Sequence, residues 1–96
     1  MNKDSLKKIL DEAVEIYNKF RAPEAVAEIT EIKNNRVKVR FRGSFCRTCG
    51  IRDWVEDFKY VLMNLGVDNE LIEYIEPNDP EIDERIGVFE IRKEGD

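Results

Sequence analysis

Two cysteines three residues apart, Cys46 and Cys49, are the side chains of this 96-residue sequence best suited to chemistry. A Cys-x-x-Cys pair lets both sulfurs converge on one soft metal or on each other, and the thiolate is the reactive form in either case. The pair precedes an apolar run of helical spacing. Unpaired amides at a helix start favour a thiolate, and Arg42, Arg47 and Arg52 close by in sequence are expected to lower the thiol pKa further, with Asp53 acting against them. Three readings stand open: a shared iron–sulfur or zinc site, a dithiol or disulfide that is redox-active or stabilising, and inert small core residues. A closed zinc or iron–sulfur centre normally takes four protein ligands. With two cysteines and no histidine, a metallated form requires two chains, hence a homodimer.

The absence of histidine removes Ser-His-Asp and Cys-His arrangements, histidine-ligated zinc and a histidine general base. No enzyme is expected; a thioredoxin-like dithiol site belongs to a βαβ context that this sequence does not offer. A composition of 42% hydrophobic residues suits one modest core and a single domain over 1–96. The sequence is 39% charged with no glutamine, a balance that leans toward a thermophile, where intracellular disulfides are common. No run approaches the roughly 18 apolar residues of a membrane span, and Met1-Asn2-Lys3-Asp4 lacks a secretory stretch, so a cytoplasmic protein without membrane contact is expected.

Charge suggests a second candidate site. Lys33, Arg36, Lys38, Arg40, Arg42, Arg47 and Arg52 lie in one segment without an acidic residue, while Asp68 to Asp96 is strongly acidic. Arg36, Lys38, Arg40 and Arg42 alternate with Val37, Val39 and Phe41, which places four cations on one face of a strand. Together with Arg47 and Arg52 they are the candidate anion- or partner-binding residues. The alternative function is therefore a non-catalytic interaction module binding nucleic acid or an acidic protein, with structural cysteines. An ordinary solvated strand face is the competing reading. Exposed aromatic residues interleaved with the cations, expected for single-stranded nucleic acid, are missing. The acidic loop Asn78 to Glu84 reads as a solvated connector.

The elements that must position these residues follow from periodicity. Leu6, Ile9, Leu10, Ala13, Val14, Ile16, Tyr17 and Phe20 predict a helix over 4–20, closed before Pro23. Residues 24–32 and 36–42 flank Lys33-Asn34-Asn35 and predict a β-hairpin; Ile32 has the wrong parity for its strand, which implies a bulge or the strand's end. Ile51, Trp54, Val55, Phe58, Val61, Leu62 and Leu65 predict a second helix over 50–65, stopped by Gly66. Strands are expected at 71–76 and 86–92. The result is a small two-layer α+β domain of order α-β-β-α-β-β, with both helices packed on one face of a mostly antiparallel sheet. Leu10, Tyr17, Val39, Phe41, Trp54, Phe58, Leu62 and Ile75 are expected to be buried together.

Helix one, the hairpin, Gly43-Ser44, Cys46-x-x-Cys49, the apolar second helix and the strand Leu71 to Glu76 together resemble the C-terminal scaffold domain of the NifU family. The resemblance covers about residues 5–76, with the hairpin 71–92 as an addition. It implies iron–sulfur cluster assembly or carriage, the cluster held between the Cys-x-x-Cys pairs of two protomers and passed to an acceptor protein. Cys46 and Cys49 would then be the cluster ligands.

Overall fold

Leu6, Leu10, Ala13 and Tyr17 recur every three or four residues along α1 (Lys3–Arg21) and are buried, while Lys7 and Asp11 pair at 3.0 Å on its outer side. This is the helix the spacing predicts, extended by one residue at each end. The structure, a computed structural model, describes residues 3–47, 50–79 and 81–92. After α1 come β1 (Val26–Lys33), β2 (Arg36–Arg42), a short 3-10 helix (Ser44–Arg47), α2 (Ile51–Asn64), β3 (Asn69–Ile75) and β4 (Glu84–Ile91). The four strands form one antiparallel sheet in the order β1-β2-β4-β3. No helix among the described residues is long and apolar enough to cross a membrane.

Both helices cover one face of this sheet, and Phe41 shows it. Its ring meets Tyr17 of α1 edge-on at 5.4 Å and Phe58 of α2 edge-on at 5.9 Å. The Tyr17 hydroxyl donates to the Trp54 carbonyl at 2.7 Å, and Arg21 pairs with Asp57 at 2.8 Å, so the two helices are also tied directly to each other. Burial pushes the Tyr17 phenol pKa above its ordinary value. At its C-terminus α2 closes with Gly66 at φ 85°, Gly66 N donating to the Met63 carbonyl and Val67 N to the Leu62 carbonyl, each at 3.0 Å. That pair of bonds is a Schellman cap, the stop that Gly66 signals in the sequence.

Two bulges adjust the edge strands. In β1 the register shifts between Ile29 and Glu31, which returns Ile32 to the inward side opposite Val37. The parity break in the sequence is therefore a bulge. In β3 the shift falls between Leu71 and Glu73. Asn69, Leu71 and Tyr74 consequently stand opposite Ile91, Phe89 and Gly87 on the helix-covered side, and Ile75 stands opposite Ile86 on the open one. Of the expected core, Leu10, Tyr17, Val39, Phe41, Phe58 and Leu62 are buried and Trp54 packs at the margin. Ile75 is displaced from that core by the extra residue at the bulge. The outer edge of β1 is sealed by α1: Asn18 Oδ1 accepts from Ala27 N at 2.7 Å and Asn18 Nδ2 donates to the Ala27 carbonyl at 3.1 Å.

Candidate functional site

The cysteine segment leaves the end of β2 and is held from three sides. Gly43 N donates to the Asp83 carbonyl at 3.2 Å, extending the β2–β4 ladder by one bond, and Phe45 N donates to the Glu24 carbonyl at 3.0 Å. Phe45 is fully buried and lies against Trp54 with ring centroids 5.9 Å apart. These contacts fix the backbone on both sides of Ser44 and leave Cys46 half-buried at the margin of the core.

Gly43 is required here by space as well as conformation. Its φ is 142°, and a Cβ at this position would lie 2.2 Å from the Glu24 carbonyl oxygen, a backbone atom. The Gly43→Ala variant is expected to lose about 3 kcal/mol or more, combining backbone strain with a clash that no side-chain movement relieves. Urea denaturation measures this; a loss below about 1 kcal/mol would mean that the chain at Glu24 yields easily.

Cys46 belongs to the 3-10 helix, while α2 begins five residues later with Gly50 as its N-cap at φ 71°. Cys49 lies outside the described residues. The thiol of Cys46 is pushed up from its ordinary pKa, and burial is the main cause. Arg85 and Arg47 pull it down, Asp83 and Glu84 push it up. The expectation that neighbouring arginines hold this thiol low is thus reversed: desolvation outweighs them. Arg47 is engaged by Asp83 at 3.0 Å, and Arg52 by Glu56 at 2.8 Å, its guanidinium also lying 5.4 Å over the Tyr74 ring. Among the described residues no three His, Cys, Asp or Glu side chains group to hold a metal.

Arg85 is a charged residue that no sequence motif marks. It enters from β4, opposite Phe41, on the inward side shared with Gly87, Phe89 and Ile91. Its side chain is only 9% exposed. Nη1 donates to the Glu84 carbonyl at 2.8 Å and more weakly to that of Ile82 at 3.4 Å, while the buried Nε has no hydrogen-bond partner. Parity was the available signal, since an arginine two residues before Gly87 and four before Phe89 occupies an inward position. The acidic connector is likewise more than a solvated loop, because Asp83 holds Gly43 through its carbonyl and Arg47 through its carboxylate.

The cationic strand face is present, but it carries its own counter-charges. Arg36 faces Glu90 at 3.6 Å, Lys38 faces Glu31 at 3.6 Å, and Arg40 is hydrogen-bonded to Glu28 and lies 3.5 Å from Glu84. The Arg40 bond holds the Glu28 carboxyl below its ordinary pKa. Arg42 stands opposite Glu84 in the register. The acids come from β1 and β4, the two strands that flank β2, so a run of cations in sequence becomes an alternation of sign in space.

Comparison of the chain with models of known protein families, with curated proteins and with solved structures finds no match.

Proposed function

We propose that this protein binds metal through thiolates supplied by Cys46 and Cys49, acting as a scaffold or carrier on which an iron–sulfur cluster is held between two copies of the chain. The observation that carries this reading is the placement of Cys46: a half-exposed thiol on a short turn whose backbone is anchored by Phe45, Gly43 and Asp83. A ligand needs a fixed backbone, and Cys46, half-buried at the margin of the core, has one. The donor set fits a centre completed by a second chain, because each chain contributes two thiolates and four are required. Neutralisation of the β2 cations by Glu28, Glu31, Glu84 and Glu90 gives the competing nucleic-acid reading less support.

The cluster is cargo in this reading, and the chain's task is to bind it reversibly. The raised thiol pKa means that loading must displace a proton from Cys46, so uptake should weaken as pH falls. Protein purified without oxygen and supplied with iron and sulfide is expected to show thiolate-to-iron absorption, one centre per two chains by metal analysis, and a dimer mass in solution. Zinc in the same stoichiometry would identify a zinc protein. A monomer that takes up neither iron nor zinc would overturn the reading.

A further inference from the structure

We infer that the groove between the C-terminal end of α1 and the first turns of α2 is a docking site for a partner protein, and that it takes an arginine side chain from that partner. It is separate from the thiolate site and does not depend on the metal-binding reading.

A single exposed aromatic residue on a small domain is ordinary, but Phe20, 69% exposed, has company. Phe20, Arg21 and Glu24, from the end of α1 and the turn after it, line a cavity of about 400 Å³ together with Trp54 and Asp57, which lie one turn apart on α2. That volume falls within the roughly 300–1,000 Å³ of sites that enclose a small ligand. Its walls are held before anything enters. The Trp54 carbonyl accepts the Tyr17 hydroxyl at 2.7 Å, and the Trp54 ring lies against the buried ring of Phe45. Ala25 N donates to the Arg21 carbonyl and Phe45 N to the Glu24 carbonyl, each at 3.0 Å, which fixes the turn that carries Glu24. A cavity with fixed walls demands little ordering on binding.

Charge selects the occupant. Arg21 donates through both Nε and Nη2 to Oδ2 of Asp57, at 3.1 and 2.8 Å, so these two lining charges offset each other. Glu24 is exposed and has no ion pair among the described residues, which leaves the lining with one net negative charge. Two aromatic rings and a free carboxylate suit a flat cation. A guanidinium stacks on aromatic rings and pairs with a carboxylate; an aliphatic side chain would make no use of Glu24, and an acidic one would be repelled by it. The chain's net charge of −5 draws basic protein surfaces toward it, and an exposed aromatic residue beside a preformed pocket is the pattern of an interface anchor.

Trp54 is the single tryptophan of the sequence and lines the cavity, so its fluorescence reports occupancy. At constant ionic strength, the peptide acetyl-Gly-Gly-Arg-Gly-Gly-amide is expected to change that fluorescence saturably. The same peptide with citrulline, which keeps the shape without the charge, or with leucine should bind at least about threefold more weakly. Glu24→Gln and Phe20→Ala, both at exposed positions that folding tolerates, should each weaken the arginine peptide by about two- to fivefold, the range of an exposed ion pair or cation–aromatic contact. A merely structural role for either residue would leave peptide affinity unmoved. The absence of a saturable change with the arginine peptide overturns the docking site. Equal or tighter binding of the citrulline or leucine peptide overturns the choice of a cation, and parent-like affinity in Glu24→Gln and Phe20→Ala overturns the groove as its place. Metal uptake is a separate measurement, so none of these results decides the fate of the thiolate reading.

Discussion

The Phe41→Ala variant should lose about 3–5 kcal/mol of folding stability, a large part of the 5–15 kcal/mol typical of a domain. Phe41 stands on the central strand β2 and is fully buried. Its ring lies edge-on to Tyr17 and Phe58, and to Phe89 at 6.4 Å, so one side chain joins both helices to both central strands. Removing it forfeits the transfer free energy of the ring, leaves a cavity that three large neighbours cannot readily fill, and breaks edge-to-face contacts worth about 0.5–1.5 kcal/mol each. Phe20 supplies the control. It belongs to the same apolar pattern of α1 but is 69% exposed, so Phe20→Ala should change stability by about 0.5 kcal/mol or less. Urea denaturation with an unchanged slope would measure both. A Phe41→Ala loss below about 1 kcal/mol would mean that the ring is not the junction of the two layers.

What the sequence discloses about this fold is what depends on short-range periodicity. The stripe Leu6, Leu10, Ala13, Tyr17 and the alternation Val37, Val39, Phe41 each describe one element and one buried face, and these elements form where the spacing puts them. Even the bulge of β1 is visible, because Ile29 and Ile32 cannot share a face of a regular strand. Ile75 shows the limit. Its parity relative to Leu71 points inward, yet the additional residue at Ile72 turns it to the open side, and nothing within the strand's own pattern marks that residue as extra. The sheet order decides the rest. Once β4 lies between β2 and β3, Glu84 and Glu90 come to face Arg40 and Arg36, and Asp83 comes to hold Gly43 and Arg47. A charge run counted along the chain has no access to partners supplied across strands. Among the charges acting on the Cys46 thiol, Arg85 of β4 lowers its pKa more than Arg47 does, and burial outweighs both.

Replacing Cys46 with serine should abolish both metal uptake and the metal-dependent dimer while leaving the monomer folded. Serine preserves the size of the side chain but does not ionise at working pH, so the chain would retain one thiolate and a pair of chains two, too few for a centre of four ligands. Cys49→Ser follows the same count. The fold should survive because Cys46 is half-exposed on a turn whose anchors are other groups: the buried ring of Phe45, the Phe45 N–H on Glu24, and the Gly43 N–H on Asp83. Measuring circular dichroism, metal content and solution mass on the same anaerobic preparations separates these effects. A folded Cys46→Ser chain that stays monomeric at every metal concentration, beside a parent that dimerises with one centre per two chains, is the expected result. A Cys46→Ser chain that still dimerises would place the dimer contact away from the sulfurs, and a parent whose melting temperature falls on mild reduction, with no metal bound, would assign the cysteines to a stabilising disulfide instead.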